Sequence, residues 1–126
     1  MIVNSIVLIS QSSERDFTQN QPENSNSNIN FNLSQSKNKP WPYEISLHTE
    51  IISQDNDADS TTPLFRSDIR YAIQFDGPIN EKEDASNAFS TAWPYIREGL
   101  IHQLQEHGIP SAPFVPLTVT ITPNKA

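Results

Sequence analysis

The chain has 126 residues, 8 basic against 15 acidic side chains for a net charge of −7, 35% hydrophobic residues and no cysteine. Its mean hydropathy is −0.54. The absence of cysteine excludes disulfides, thiolate catalysis and cysteine-ligated zinc, and the basic residues are scattered singly, without the cluster that displaces counterions from nucleic acid.

This length implies a single domain spanning residues 1–126 with a modest core, so a subunit interface is expected to share the burial. No apolar run approaches the roughly 18 residues of a membrane span, so membrane insertion is not expected. Met1 to Ile9 lacks a basic leader and a small-residue cleavage site and reads as a strand. With no secretory signal and no cysteine, a cytoplasmic location is expected.

In chain order, Ile6 to Ile9 is strand-like and polar residues extend it to Asp16. Gln19 to Asn28 reads as a polar loop. Ile29, Phe31 and Leu33 alternate with asparagine, the period of a half-buried strand. After a turn at Lys37 to Pro40, Tyr43 to Ile52 sets Ile45, Leu47 and Ile51 against polar neighbours. Asp55 to Thr62 reads as an exposed connection. Leu64 to Phe75 places Ile69, Tyr71, Ile73 and Phe75 on one face and stops at Asp76-Gly77-Pro78. A helix follows: Phe89, Trp93, Ile96, Leu100, Ile101 and Leu104 form one stripe at 3.6-residue spacing. Gly108 and Pro110 end it. Pro94 is either the first-turn proline of the helix or kinks a longer helix that starts near Asp84. Pro113 to Pro123 alternates Val115, Leu117, Val119 and Ile121 and reads as an extended tail. Strands grouped before a helix, joined by hairpin-length connections, predict an α+β fold: a four-stranded antiparallel sheet, one long helix and an extended C-terminal tail.

Chemistry-bearing motifs are weak. Asp55-Asn56-Asp57-Ala58-Asp59 starts like a calcium loop, but Ser60 and Arg66 stand where glycine and glutamate are needed, so no metal site is expected. His102 and His107 are five residues apart and cannot share a helix face. His48 falls on the polar side of its strand, and all three histidines read as surface residues. Asn32-Leu33-Ser34 is a chance sequon without a secretory signal. No Gly-x-Ser-x-Gly or phosphate-cradling loop occurs among three glycines. Neither catalysis nor a cofactor is expected. Arg97 reads as a solvated helix charge or as a side chain lying along an interface.

Trp93-Pro94-Tyr95-Ile96-Arg97-Glu98 resembles the aromatic-Pro-Tyr-x-Arg-Glu signature that opens the long helix of SecB-type chaperones. Gly108-Ile109-Pro110, with Pro113 and Pro116, resembles that family's segment after the helix. Tyr43-Glu44 and Leu64-Phe65 are similar in order and spacing to the starts of its central strands. The resemblance implies an ATP-independent chaperone that holds unfolded polypeptides in apolar grooves, as a dimer or tetramer, with the export motor SecA or an unstable antitoxin of a toxin–antitoxin pair as partner. The strand-like Thr118-Val119-Thr120-Ile121 replaces the family's second helix, which favours a specialised, antitoxin-guarding role. The candidates for client contact are Phe31, Leu33, Tyr43, Phe65, Phe114 and Val115, apolar positions not consumed by the helix, and for any one of them burial in the core is the leading reading. Trp93, Ile96, Leu100 and Leu104 of the helix are expected to be largely buried, partly against the sheet and partly at an oligomer contact that Arg97 joins. The alternative is a non-chaperone module that docks one folded partner.

Overall fold

Every odd-numbered residue from Tyr43 to Ile51 and from Phe65 to Phe75 is buried, while the even-numbered residues between them are half-buried or exposed. That alternation makes a sheet with one dry face. The computed structural model describes residues 1–18, 25–35, 41–53, 63–80, 83–112 and 114–116. Its elements are β1 (Val3–Arg15), β2 (Ser25–Gln35), β3 (Tyr43–Ser53), β4 (Phe65–Phe75) and α1 (Ala85–Glu106). The four strands form one antiparallel sheet in the order β1-β4-β3-β2. The α+β expectation, four antiparallel strands followed by one helix, is met.

Rows of side chains cross the strands in register. Phe31 faces Leu47, which faces Ile69; Leu33 faces Ile45, which faces Tyr71. Over this face lies α1, burying Ala88, Phe89, Ala92, Trp93, Ile96, Leu100, Gln103 and Leu104. Each large apolar side chain withdrawn from water contributes about 1.5–3 kcal/mol.

Asn80 anchors the entry to the helix. Its carbonyl accepts from the Asp84 N–H at 2.8 Å, and its own N–H donates to Asp84 Oδ2 at 2.8 Å. At the exit, Gly108 adopts φ 71°. Its N–H donates to the Gln105 carbonyl at 3.0 Å, and the Ile109 N–H to the Leu104 carbonyl at 2.9 Å. This is a Schellman motif, closed by buried Ile109. Pro94 lies inside α1, which selects the longer of the two helices expected.

Strand β1 behaves differently. Ile6 and Leu8 pair with Ile73 and Tyr71, whereas Gln11, Ser13 and Arg15 pair with Ile69, Ser67 and Phe65. The face-to-number parity therefore flips, and the register shift between Leu8 and Ser10 makes Ile9 the inserted residue of a bulge.

Three expectations need revision. Strand β2 begins at Ser25, inside the stretch read as a loop, because Ser25 to Asn28 pair with Ser53 to Glu50 of the long β3. Backbone pairing with an extended neighbour overrides the low strand propensity of serine and asparagine. Nor are all connections hairpins: β1 pairs with β4, at the opposite edge from β2. His107 is half-buried and hydrogen-bonded to Ser13, not a plain surface residue. The connection expected at Asp55 to Thr62, with its acidic motif, and the tail beyond Pro116 lie outside the described residues.

Candidate functional site

The outer edge of β2, the end of the described sheet, and the residues packed beneath it form the first candidate surface. Phe31 reaches from β2 to stack on Phe89 of α1, with centroids 3.9 Å apart and planes 14° apart. Phe89 in turn meets Trp93 at 5.5 Å. The Trp93 Nε1–H and the Arg97 Nε–H both donate to the Pro116 carbonyl, at 3.0 and 3.1 Å. Ser27 Oγ donates to the Phe114 carbonyl at 3.2 Å. The segment after the helix is thus tied to α1 and to β2 at once. Phe31 and Ile29 remain half-buried on a strand that, among the described residues, pairs on its β3 side alone.

Of the six side chains expected to contact a client, Phe31 is the one with substantial surface. Leu33, Tyr43, Phe65, Phe114 and Val115 are buried within the chain. Their odd register positions, or for Phe114 and Val115 the docking of the post-helix segment, turn them inward. Trp93, Ile96, Leu100 and Leu104 are likewise buried against the chain's own sheet, and Arg97 is held by Pro116. Outward-facing helix positions include Pro94, Tyr95, Glu98 and His102.

A second apolar surface, not anticipated from the sequence, runs along β1. Met1, Ile2, Val7, Leu8 and Ile9 are all exposed. Leu8 lies on the helix side of the sheet yet is 48% exposed. The clue in the sequence was the unbroken Ile6-Val7-Leu8-Ile9 run, which puts apolar groups on both faces of an edge strand.

The opposite face of the sheet is polar. His48 Nδ1 lies 2.7 Å from Asp68 Oδ1, and its Nε2 lies 3.1 Å from Glu50 Oε1. The hydrogen bond to Asp68, then that to Glu50, holds the imidazolium above its ordinary pKa. Arg70 pairs with Glu44, and Arg66 with Glu14 at 3.2 Å. Among the described residues, no group of three or more His, Asp or Glu side chains is placed to hold a metal ion. None of the described helices is long and apolar enough to cross a membrane.

No family model matches this sequence, and no curated protein matches it by sequence. A solved structure is similar in fold. The SecB-like chaperone of Mycobacterium tuberculosis, determined with a ChAD peptide from the HigA1 antitoxin, is 17% identical, covers 95% of this chain and 89% of its own, and superposes with a TM-score of 0.62. The chain has the SecB-like fold.

Proposed function

We propose that this protein is an ATP-independent holding chaperone of the cytoplasm that keeps an extended, aggregation-prone client, an antitoxin in particular, in a binding-competent state. The observation that carries the reading is the shared fold with a SecB-like chaperone solved together with an antitoxin peptide. An antitoxin client is favoured over SecA-linked export for the same reason. The surface supports it: among the described residues the outer edge of β2, next to Phe31 and Ile29, has no backbone partner, so an arriving segment can add a strand and rest apolar side chains on the aromatic layer. On this reading Leu33, Tyr43, Phe65, Phe114 and Val115 shape the layer from beneath.

The exposed β1 flank supports pairing with a second copy. The edge groups and the apolar run at Val7 to Ile9 would be covered together, which is how an edge strand is made safe.

The test is aggregation of several unrelated denatured proteins, without nucleotide, in the presence of the purified chain. Suppression near stoichiometric ratios is expected. Binding to a single folded partner with no suppression would replace the proposal with a dedicated docking module. Co-expression with a candidate antitoxin should lengthen its lifetime, and Phe31→Asp should shorten it again.

A further inference from the structure

Under the C-terminal end of α1, the end of β1 and the approach to β4 enclose a cleft of about 370 Å3. Its walls include Ser13, Arg15, Phe17, Pro63, Arg66 and His107. Two of these are rigidly held. Ser13 Oγ and His107 Nε2 are hydrogen-bonded at 2.9 Å, and the His107 ring stands edge-on to Phe65 at 5.7 Å. Arg15 crosses the floor and donates from Nη1 to the His107 carbonyl at the helix end. A Cβ at Gly108 would stand 3.4 Å from Arg15 Nη1, an ordinary van der Waals contact, so it is the positive φ of 71° and not the approach of Arg15 that calls for glycine there.

A second nitrogen of that guanidinium is unpaired. Arg15 Nε is buried and, among the described residues, has no hydrogen-bond partner. A guanidinium cannot shed its proton, so a buried N–H of this kind is satisfied only by an acceptor. The acidic side chains of the lining are engaged elsewhere. Glu14 pairs with Arg66 across an exposed surface, and Asp16 Oδ1 accepts from the Thr18 N–H and hydroxyl at 2.9 and 2.6 Å. Exposed pairs such as Glu14–Arg66 are weak and exchange readily, so Arg66 can turn to an incoming anion. Phe17, 86% exposed on the rim beside Pro63, supplies an aromatic wall that the core does not use.

We propose that this cleft binds a carboxylate carried on an apolar or aromatic group, the chemistry a polypeptide presents at its C-terminus. A planar carboxylate matches the guanidinium fork. The nearby Glu14 and Asp16 disfavour a doubly charged phosphate. The inference is independent of the client surface at β2 and stands if that reading fails.

The test uses the full chain, isotope-labelled so that the Arg15 Nε–H resonance can be followed. Three probes are titrated: acetyl-glycyl-phenylalanine as the free acid, the same compound as its amide, and amidated acetyl-phenylalanyl-glutamate. Inorganic phosphate serves as the control anion. The free acid should move the Arg15 resonance and bind about tenfold or more tightly than the amide, as expected for a charge-assisted hydrogen bond. If the amidated glutamate peptide binds as well as the free acid, the carboxylate comes from a side chain; if it does not, from a chain terminus. Equal binding of acid and amide, an unmoved Arg15 resonance, or phosphate binding as tightly as the acid overturns the proposal.

Discussion

Gly99 stands on α1 where the Tyr71 hydroxyl rises from β4, and a Cβ there would run into that oxygen. Two effects compete in Gly99→Ala. The helix gains about 1 kcal/mol of propensity, and the overpacked contact loses about 1–3 kcal/mol. With Tyr71 buried, the loss should win, and denaturant unfolding should show a net destabilisation of about 1 kcal/mol. In a Tyr71→Phe background the obstacle is gone, and the same substitution should become neutral or stabilising. His48 gives a residue-scale prediction with the opposite origin. Its folded-state pKa is raised, by the hydrogen bond to Asp68 first and Glu50 second. The imidazolium is therefore favoured in the folded state. Its contribution is fully present below the unfolded value near 6.5 and is lost as pH rises through the folded value. Titrating the His48 ring resonances should show the elevation, and Asp68→Asn should bring it down; an unchanged midpoint in that variant would remove Asp68 as the cause.

At the scale of the elements, β1 carries the sharpest expectation. Leu8→Lys changes an exposed side chain and should alter the stability of a single subunit by no more than about 0.5 kcal/mol. It should nevertheless convert a self-associated species into a monomer, as read by light scattering at micromolar concentration. Wild type that is already monomeric there would remove β1 as a pairing edge. The elements were readable to different depths. Strands β3 and β4 were legible because strict alternation and single-sided burial fix each other, and α1 because its stripe and the Gly108 stop agree. The first turns of β2 were not, since Ser25 to Asn28 carry no apolar period and are held by the length of their neighbour. The candidate site was less legible than the fold. Alternation marks which side chains leave water, not whether the covering surface belongs to the same chain. Thus Leu33, Tyr43 and Phe65 could be read as contacts or as core, and the structure buries them within the chain. The cleft at Arg15 was invisible in sequence because Ser13, Arg15 and His107 are brought together only by the β1 bulge and the helix end.

For the whole molecule, the net charge of −7 and the apolar surfaces make separable predictions about binding. The Debye length falls from about 10 Å at 0.1 M salt to about 3 Å at 1 M, so steering of a basic client should weaken over that range, while apolar burial persists. Affinity should hold nearly constant in sodium chloride, with association rates for basic clients falling. A collapse of affinity would locate the client on the polar, charged face of the sheet. The β1 flank has a last consequence, which concerns abundance. If a second copy covers this flank, as proposed above, the free energy of folding becomes a function of protein concentration. Each tenfold dilution should lower the thermal midpoint by a few degrees, an effect Leu8→Lys should abolish. A cell that makes little of this chain would hold it as separated subunits with an open edge, readily degraded. A cell that makes more would shelter it, so a modest change in synthesis would become a larger change in the amount that survives.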